Sequence, residues 1–349
     1  MTVGPLSAAL RGLRVADFST HLPGPFATAR LSELGATVLK IEPPGGDPAR
    51  HMFDGSIFDE VNAGKRSIEL DLRDEEDHRV ARELCRDADV IIEGFRPSIA
   101  ERLRVVPSAL WPEAGAEPRL FMSIRTSSTD LEFASGRAHD VNVVARSGLM
   151  MVPVTWSQRD SLPLRPALPL ADIAAGEEAT RQVLAWAVQR GSGAAHGVTC
   201  LTVGMLESLQ PWVSIREVTY KDGEPTHLDP ANDVYLTADG RWLTVTALED
   251  PAWRRMCRIL PLQQSERDLL EGLTAPGRLA QGDVVARLLR EALAQEPAAH
   301  WLAVLGDAGV SLGEVCPPRT PDRIRRGPAL GELDVSAIRS GDLWGSIEG

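Results

Sequence analysis

Two strand-like runs separated by one helix-like run, all within the first 42 residues, restrict this chain more than any other feature. Residues 13–17 (Leu-Arg-Val-Ala-Asp) read as a buried strand. Pro23-Gly24-Pro25 interrupts it, residues 26–34 carry apolar side chains at helical spacing, and Gly35 ends the helix. Residues 37–42 (Thr-Val-Leu-Lys-Ile-Glu) form a second strand. A helical crossover between two strands makes them parallel, and the unit right-handed. The alternation continues with a strand at 67–72, a helix at 75–88, a buried strand at 89–93 and a fifth strand at 120–124. Such alternation predicts an α/β fold: a Rossmann-like open sheet of doubly wound type.

The pattern changes beyond residue 150. Pro153, Pro163, Pro166 and Pro169 predict an extended connection over 151–171, and 173–190 reads as one long amphipathic helix. Residues 191–197 are a Gly-rich loop and 215–232 are polar and turn-rich. An Asp-Gly turn at Asp239-Gly240 with alternating flanks predicts a β-hairpin over 234–248. Helices are expected at 251–260, 283–295 and 297–308. The expected organisation is a large α/β domain at 1–190, a linker at 191–232 and a smaller α+β domain at 233–317. The Pro/Arg-rich C-terminal segment 318–349 is expected to complete the large domain.

The formal net charge of -12 argues against binding to nucleic acid or an anionic membrane. A phosphorylated ligand needs only a local set of cations and N–H groups, so it stays compatible with that charge. Cys85, Cys200, Cys257 and Cys316 fall at no metal or redox spacing. Scattered thiols, no basic leader and no long apolar run predict a cytoplasmic protein.

Familiar catalytic signatures are absent. There is no G-x-G-x-x-G, no G-x-x-x-x-G-K-[ST], no G-x-S-x-G and no H-x-x-x-H, so no metal site is expected. Taken singly, the remaining candidates have plain structural readings. Asp172, before a helix, reads as its cap, and Asp140 as another. Glu249, at a strand-to-helix junction, complements the helix dipole. His139 and Arg96 read as surface residues.

Taken together, several ordered segments resemble the family III CoA-transferase superfamily (CaiB/BaiF type). Leu13-Arg14-Val15-Ala16-Asp17-Phe18-Ser19 with Leu22-Pro23-Gly24-Pro25-Phe26-Ala27 is similar to the family's opening strand and turn. The stretches 34–47, 62–72 and 89–97 follow in the family's order. Asp172 matches the nucleophilic Asp of the family's transferases. His139 and Glu249 match two further residues of the α-methylacyl-CoA racemases: the His of a Gly-His-Asp-Ile-Asn-Tyr motif, here Ala138–Val143, and a Glu after the second-domain hairpin. The three together are closest to the racemase branch.

The resemblance implies a CoA thioester as substrate, with coenzyme A as part of that substrate and no permanently bound cofactor. It implies CoA binding at Arg73, Gly94, Phe95, Arg96, Arg102 and Asp140. It implies an interlocked homodimer, each chain threading its partner. A racemase would use Asp172 and His139 on opposite faces of the α-carbon, Glu249 balancing His139, and the first helical N–H groups after Asp172 would hold the enolate oxygen. A transferase would instead form an aspartyl-CoA at Asp172. The chain departs from the family at 123–129, Ala138, Val143, 174–178 and 199–202, all around the acyl pocket. Those departures also fit a CoA-binding homologue with altered or lost activity.

Overall fold

The computed structural model describes residues 7–136, 138–151, 155–156, 163–221, 224–225, 228–316, 331–332 and 344. The sheet strands are β1 (Arg14–Asp17), β2 (Thr37–Glu42), β3 (Arg66–Glu69), β4 (Val90–Glu93), β5 (Arg119–Arg125) and β6 (Val198–Gly204). A two-residue ribbon follows, β7 (Tyr220–Lys221) and β8 (Glu224–Pro225), then β9 (Asn232–Leu236), β10 (Trp242–Thr246), β11 (Ser311–Glu314) and β12 (Gly331–Glu332). The chain divides into two compact units. The larger holds residues up to Ser147, Pro166–Pro211 and the segment from Arg323; the smaller holds Gly148–Arg165 and Trp212–Asp322.

The larger unit is built on one parallel sheet in the order β12-β3-β2-β1-β4-β5-β6. In register, Val15 lies between Val38 of β2 and Val90 of β4. These strands are apolar along their length because helices cover both faces of a parallel sheet. Ala16, Leu39 and Ile91 are fully buried in a cluster that also takes in Phe121 and Trp344. From β1 the chain builds the sheet outward one way through β2 and β3, and the other way through β4, β5 and β6. The loops leaving β1 and β4 therefore diverge, which opens the crevice where doubly wound sheets bind ligands.

Helix Leu170–Gly191 packs against helix Pro23–Glu33 at Gly176. A Cβ there would stand 2.7 Å from Phe26 Cδ1 and 2.8 Å from the Pro23 carbonyl oxygen. Glycine is thus the residue that lets the two backbones approach.

The smaller unit is a three-stranded antiparallel sheet, β11-β10-β9, over a helical layer. The hairpin closes at Gly240, φ +74°, as the Asp-Gly turn predicts. Trp253, Met256, Leu289 and Trp301 fill its core. Trp156, from the proline-rich segment, donates its indole N–H to Asp283 (3.0 Å) and sits over Gly282, where a Cβ would meet its ring at 2.0 Å.

Several sequence expectations change. Residues 198–204, expected inside the 191–232 linker, form β6 in full parallel register with β5, so the large unit runs past residue 190. The β-branched residues of that run gain a fully bonded strand by docking on β5, a pairing no local pattern reveals. Helices Gln264–Glu271 and Ala275–Ala280, not expected, fill the stretch between two expected helices. Helix Leu170–Gly191 begins before Asp172, which is its third residue rather than the residue that precedes it. Of the C-terminal segment 318–349, β12 pairs with β3 and Trp344 enters the sheet core; its other residues lie outside the described ones.

Candidate active site

At the switch point the turn leaving β1 is held by buried charges. Asp17 accepts from the hydroxyls of Ser19 and Thr28 and pairs with Lys65 (3.4 Å). Lys65 also donates to Thr28 Oγ1, the Pro25 carbonyl and Asn62 Oδ1 at 2.7–2.9 Å. Burial pushes the Asp17 carboxyl up, but Lys65 and Lys40 outweigh it and hold the group below its usual range. Burial pulls the Lys65 ammonium down to about 7, partly offset by Asp17. Lys40 pairs with Asp47 (2.9 Å), both fully buried, and donates to the Ser19 carbonyl. Gly24 is required here because a Cβ would stand 2.0 Å from Ser19 Oγ.

This fixed turn presents His21, whose φ of +65° is a left-handed conformation rare for a residue with a side chain. Its backbone N–H donates to Asp47 Oδ1 (3.1 Å), and its ring meets His139 edge-on with centroids 6.1 Å apart. His139 is exposed and precedes helix Asp140–Ser147; its backbone N–H donates to Asn142 Oδ1 (3.0 Å).

Asp140 joins His139 to Asp172. Its Oδ1 accepts from the backbone N–H groups of Ala171 (2.7 Å) and Asp172 (3.2 Å). The cap of the long helix therefore comes from a residue 32 positions upstream, and Asp172 makes no cap bond. Burial pushes the Asp172 carboxyl up to about 7, and the negative charge of Asp140 adds to the effect. The N–H groups expected to hold an enolate oxygen are engaged: Asp140 takes two, and Ile173 donates to the Pro169 carbonyl (3.1 Å). Those amides cannot serve as the expected oxyanion site, because a buried helix start must satisfy its free donors first.

Two carboxylates that sequence reasoning passed over shape the surrounding loops. Glu93, fully buried at the end of β4, accepts from Ser123 Oγ (2.5 Å), Arg125 (2.6 Å) and the backbone N–H of Phe95 (2.8 Å). It thereby sets the course of Gly94-Phe95-Arg96. Glu207 accepts from Ser127 Oγ and Thr129 Oγ1 (both 2.6 Å) and the Ser128 N–H (2.9 Å). Burial opposes ionisation of Glu207, but these donors hold its carboxyl down at about 2. Glu207 has no local signal in the sequence because its partners lie 78–80 residues earlier.

The residues matched to CoA binding sit beyond the carboxyl ends of β3 and β4. Arg73 is exposed and paired with Asp71 (2.8 Å). Phe95 and Arg96 are half-buried, Gly94 is exposed, and Arg102 is exposed at the end of helix Pro97–Arg102. An Arg104–Glu75 ion pair (2.9 Å) links the segments that carry Arg73 and Arg102. Asp140 lies apart from them, at the start of the Asp172 helix. Among the described residues no cluster of His, Cys, Asp or Glu is suited to a metal ion, and no helix is long and apolar enough to cross a membrane.

Glu249 belongs to the smaller unit, immediately before helix Asp250–Ile259. Its flanks are tied by Arg278, which is fully buried. Arg278 donates to the Leu248 carbonyl (2.8 Å), pairs with Asp229 (3.2 Å) and Asp250 (3.5 Å), and stacks over Trp253.

The sheet order and the Asp140–Asp172 junction accord with the comparisons. The profile of CoA-transferase family III matches residues 10–328. Acetyl-CoA:oxalate CoA-transferase of Acetobacter aceti is 32% identical over 86% of this chain and 79% of its own length. The human α-methylacyl-CoA racemase is 26% identical over 85% of this chain and 75% of its own length. The crystal structure of Rv3272 from Mycobacterium tuberculosis superposes with a TM-score of 0.73 at 25% identity, covering 88% of this chain and 82% of that one. The chain belongs to CoA-transferase family III and is an enzyme of that family, which spans both CoA transferases and racemases.

Proposed function

We propose that this enzyme epimerises a 2-methylacyl-CoA by removing and returning a proton at the α-carbon. One observation carries the reading: the Asp140 carboxylate binds the backbone of Asp172 while its neighbour is His139, so one junction holds both proton-transfer groups. A thioester carbonyl acidifies its α-hydrogen, and inversion needs a base on one face and an acid on the other. Asp172, displaced to about 7, is populated in both protonation states at neutral pH, the condition under which acid–base catalysis is most effective. In one direction the Asp172 carboxylate takes the α-proton, the electron pair moves into the thioester as an enolate, and the His139 imidazolium delivers a proton to the opposite face. In the other direction the roles exchange.

Coenzyme A enters as part of the substrate, with Arg73, Gly94, Phe95, Arg96 and Arg102 as its proposed contacts and Asp140 at the acyl end. Glu249 is assigned to charge balance at His139 through the family likeness alone. That likeness also supports a homodimer with interlocked chains. Turnover in D₂O tests the reading: deuterium should enter the α-position of a branched acyl-CoA, and absence of exchange across a panel of such substrates would overturn it.

A second reading has its own support in the 32% identical oxalate CoA-transferase. There Asp172 would attack the thioester and pass through a mixed anhydride to an aspartyl-CoA. Hydroxylamine trapping of Asp172 during incubation with acyl-CoA would favour it, and an unmodified Asp172 with α-deuteration would favour the racemase.

A further inference from the structure

We propose that His21 and His139 form a coupled imidazole pair in which His21 is a positioning residue that controls the charge on His139. The catalytic consequence rests on the racemase reading; the pairing itself does not.

The geometry is built rather than incidental. A left-handed backbone at a histidine is strained, and strain of this kind persists only where the surroundings hold it. Here they do. The His21 N–H is bound by Asp47 Oδ1, Asp47 is held by the buried Lys40 ammonium and the Ala49 N–H, and Lys40 is bound to the Ser19 carbonyl. His139 is pinned from the other side through Asn142 and its neighbour Asp140. Two separate segments thus deliver two imidazoles into edge contact at the mouth of the switch point.

The groups facing His21 are Asp47 from the loop after β2, Lys40 from β2, and His139. Asp172 and Asp140 flank His139 at the helix start. The Asp47 charge is matched by Lys40, so burial dominates at His21 and draws its proton affinity down, with His139 and Lys40 acting in the same sense and Asp47 opposing. Two imidazolium charges with centroids 6.1 Å apart repel. Even screened as in bulk water, that repulsion displaces each titration by about half a pH unit, and by more in a partly desolvated site. The pair therefore loses its protons in two steps that belong to both rings. Across the intermediate step it carries a single proton, and that proton is available to the substrate through His139.

The test needs no substrate. Histidine ring resonances are followed by NMR from pH 5 to 9 in the wild type, His21→Asn and His139→Asn. Asn is chosen at position 21 because it accepts the left-handed backbone. Removing either ring should raise the midpoint of the other by about half a pH unit or more. Unmoved midpoints in both variants would overturn the proposal. If H21N does not fold, H139N alone decides, through the midpoint of His21. With a substrate in hand, H21N should shift the His139-dependent limb of the kcat/KM profile upward, leaving KM within about twofold. A wild type that turns over no acyl-CoA would sink the racemase reading and leave the NMR result standing.

Discussion

Asp140 and Asp172 lie at one helix start, and the first raises the proton affinity of the second. This separates the two functions of Asp140 experimentally. Asp140→Asn keeps an oxygen that can cap the helix but removes the charge, so the acid limb of the kcat/KM profile should move below its position near pH 7 with little loss of stability. Asp140→Ala should also cost about 1 kcal/mol from the lost cap, read as a lower Tm. Asp172 has a stability signature of its own. Its folded pKa lies above its unfolded value, so the native state binds the extra proton and stability falls as pH rises from about 4 to about 7. Asp172→Asn should therefore raise Tm at pH 8 and leave it nearly unchanged at pH 4. An unaltered Tm at pH 8 would contradict the assigned burial. Asp172 was visible in the sequence through its setting before a helix, but its partner was not. Nothing local says that a carboxylate 32 residues away takes the capping position and frees Asp172 from it.

Among the elements, the loop from Ser127 to Asp130 depends on one side chain. Glu207 satisfies two hydroxyls and the Ser128 N–H there. Its carboxyl is depressed to about 2, so the stabilisation is present above the unfolded value of 4.5 and disappears as pH falls through about 2. Glu207→Ala should destabilise the fold by roughly 2–3 kcal/mol at neutral pH, measured by denaturant unfolding. Helix Leu170–Gly191 poses a different demand. Gly176→Ala puts a methyl against Phe26 and the Pro23 carbonyl, an overpacking that should cost about 1–3 kcal/mol and displace Asp172 one turn away. Loss of activity in excess of the stability change is the expected outcome. The alternation of strands and helices was legible because each element carries its own period. β6 was not, since a short run of Val, Thr, Cys and Leu is ambiguous until β5 offers its edge. Glycine 176 was equally silent: only the neighbouring helix shows why a side chain is excluded.

For the whole molecule, each unit keeps its own buried ionic group. In the smaller unit Arg278 is enclosed by Asp229, Asp250 and Trp253. Arg278→Met leaves Asp229 without its cation and should cost about 3–5 kcal/mol, read as early unfolding of that unit. We further propose that the chain is dimeric in solution; light scattering at micromolar concentration should give twice the 37.8 kDa chain mass. A folded monomer would contradict it. By itself the sequence determined the parallel α/β class, the Asp-Gly hairpin, the family and the candidate residues Asp172, His139 and Glu249, because periodicity and ordered motifs are written in consecutive residues. The tertiary structure alone decided that Asp140 caps the Asp172 helix, that the helix amides are spent on that cap, that Glu93 and Glu207 shape the flanking loops, and that His21 meets His139. Those are contacts between residues far apart in the chain, and their energies exist only once the sheet has brought its loops to one edge.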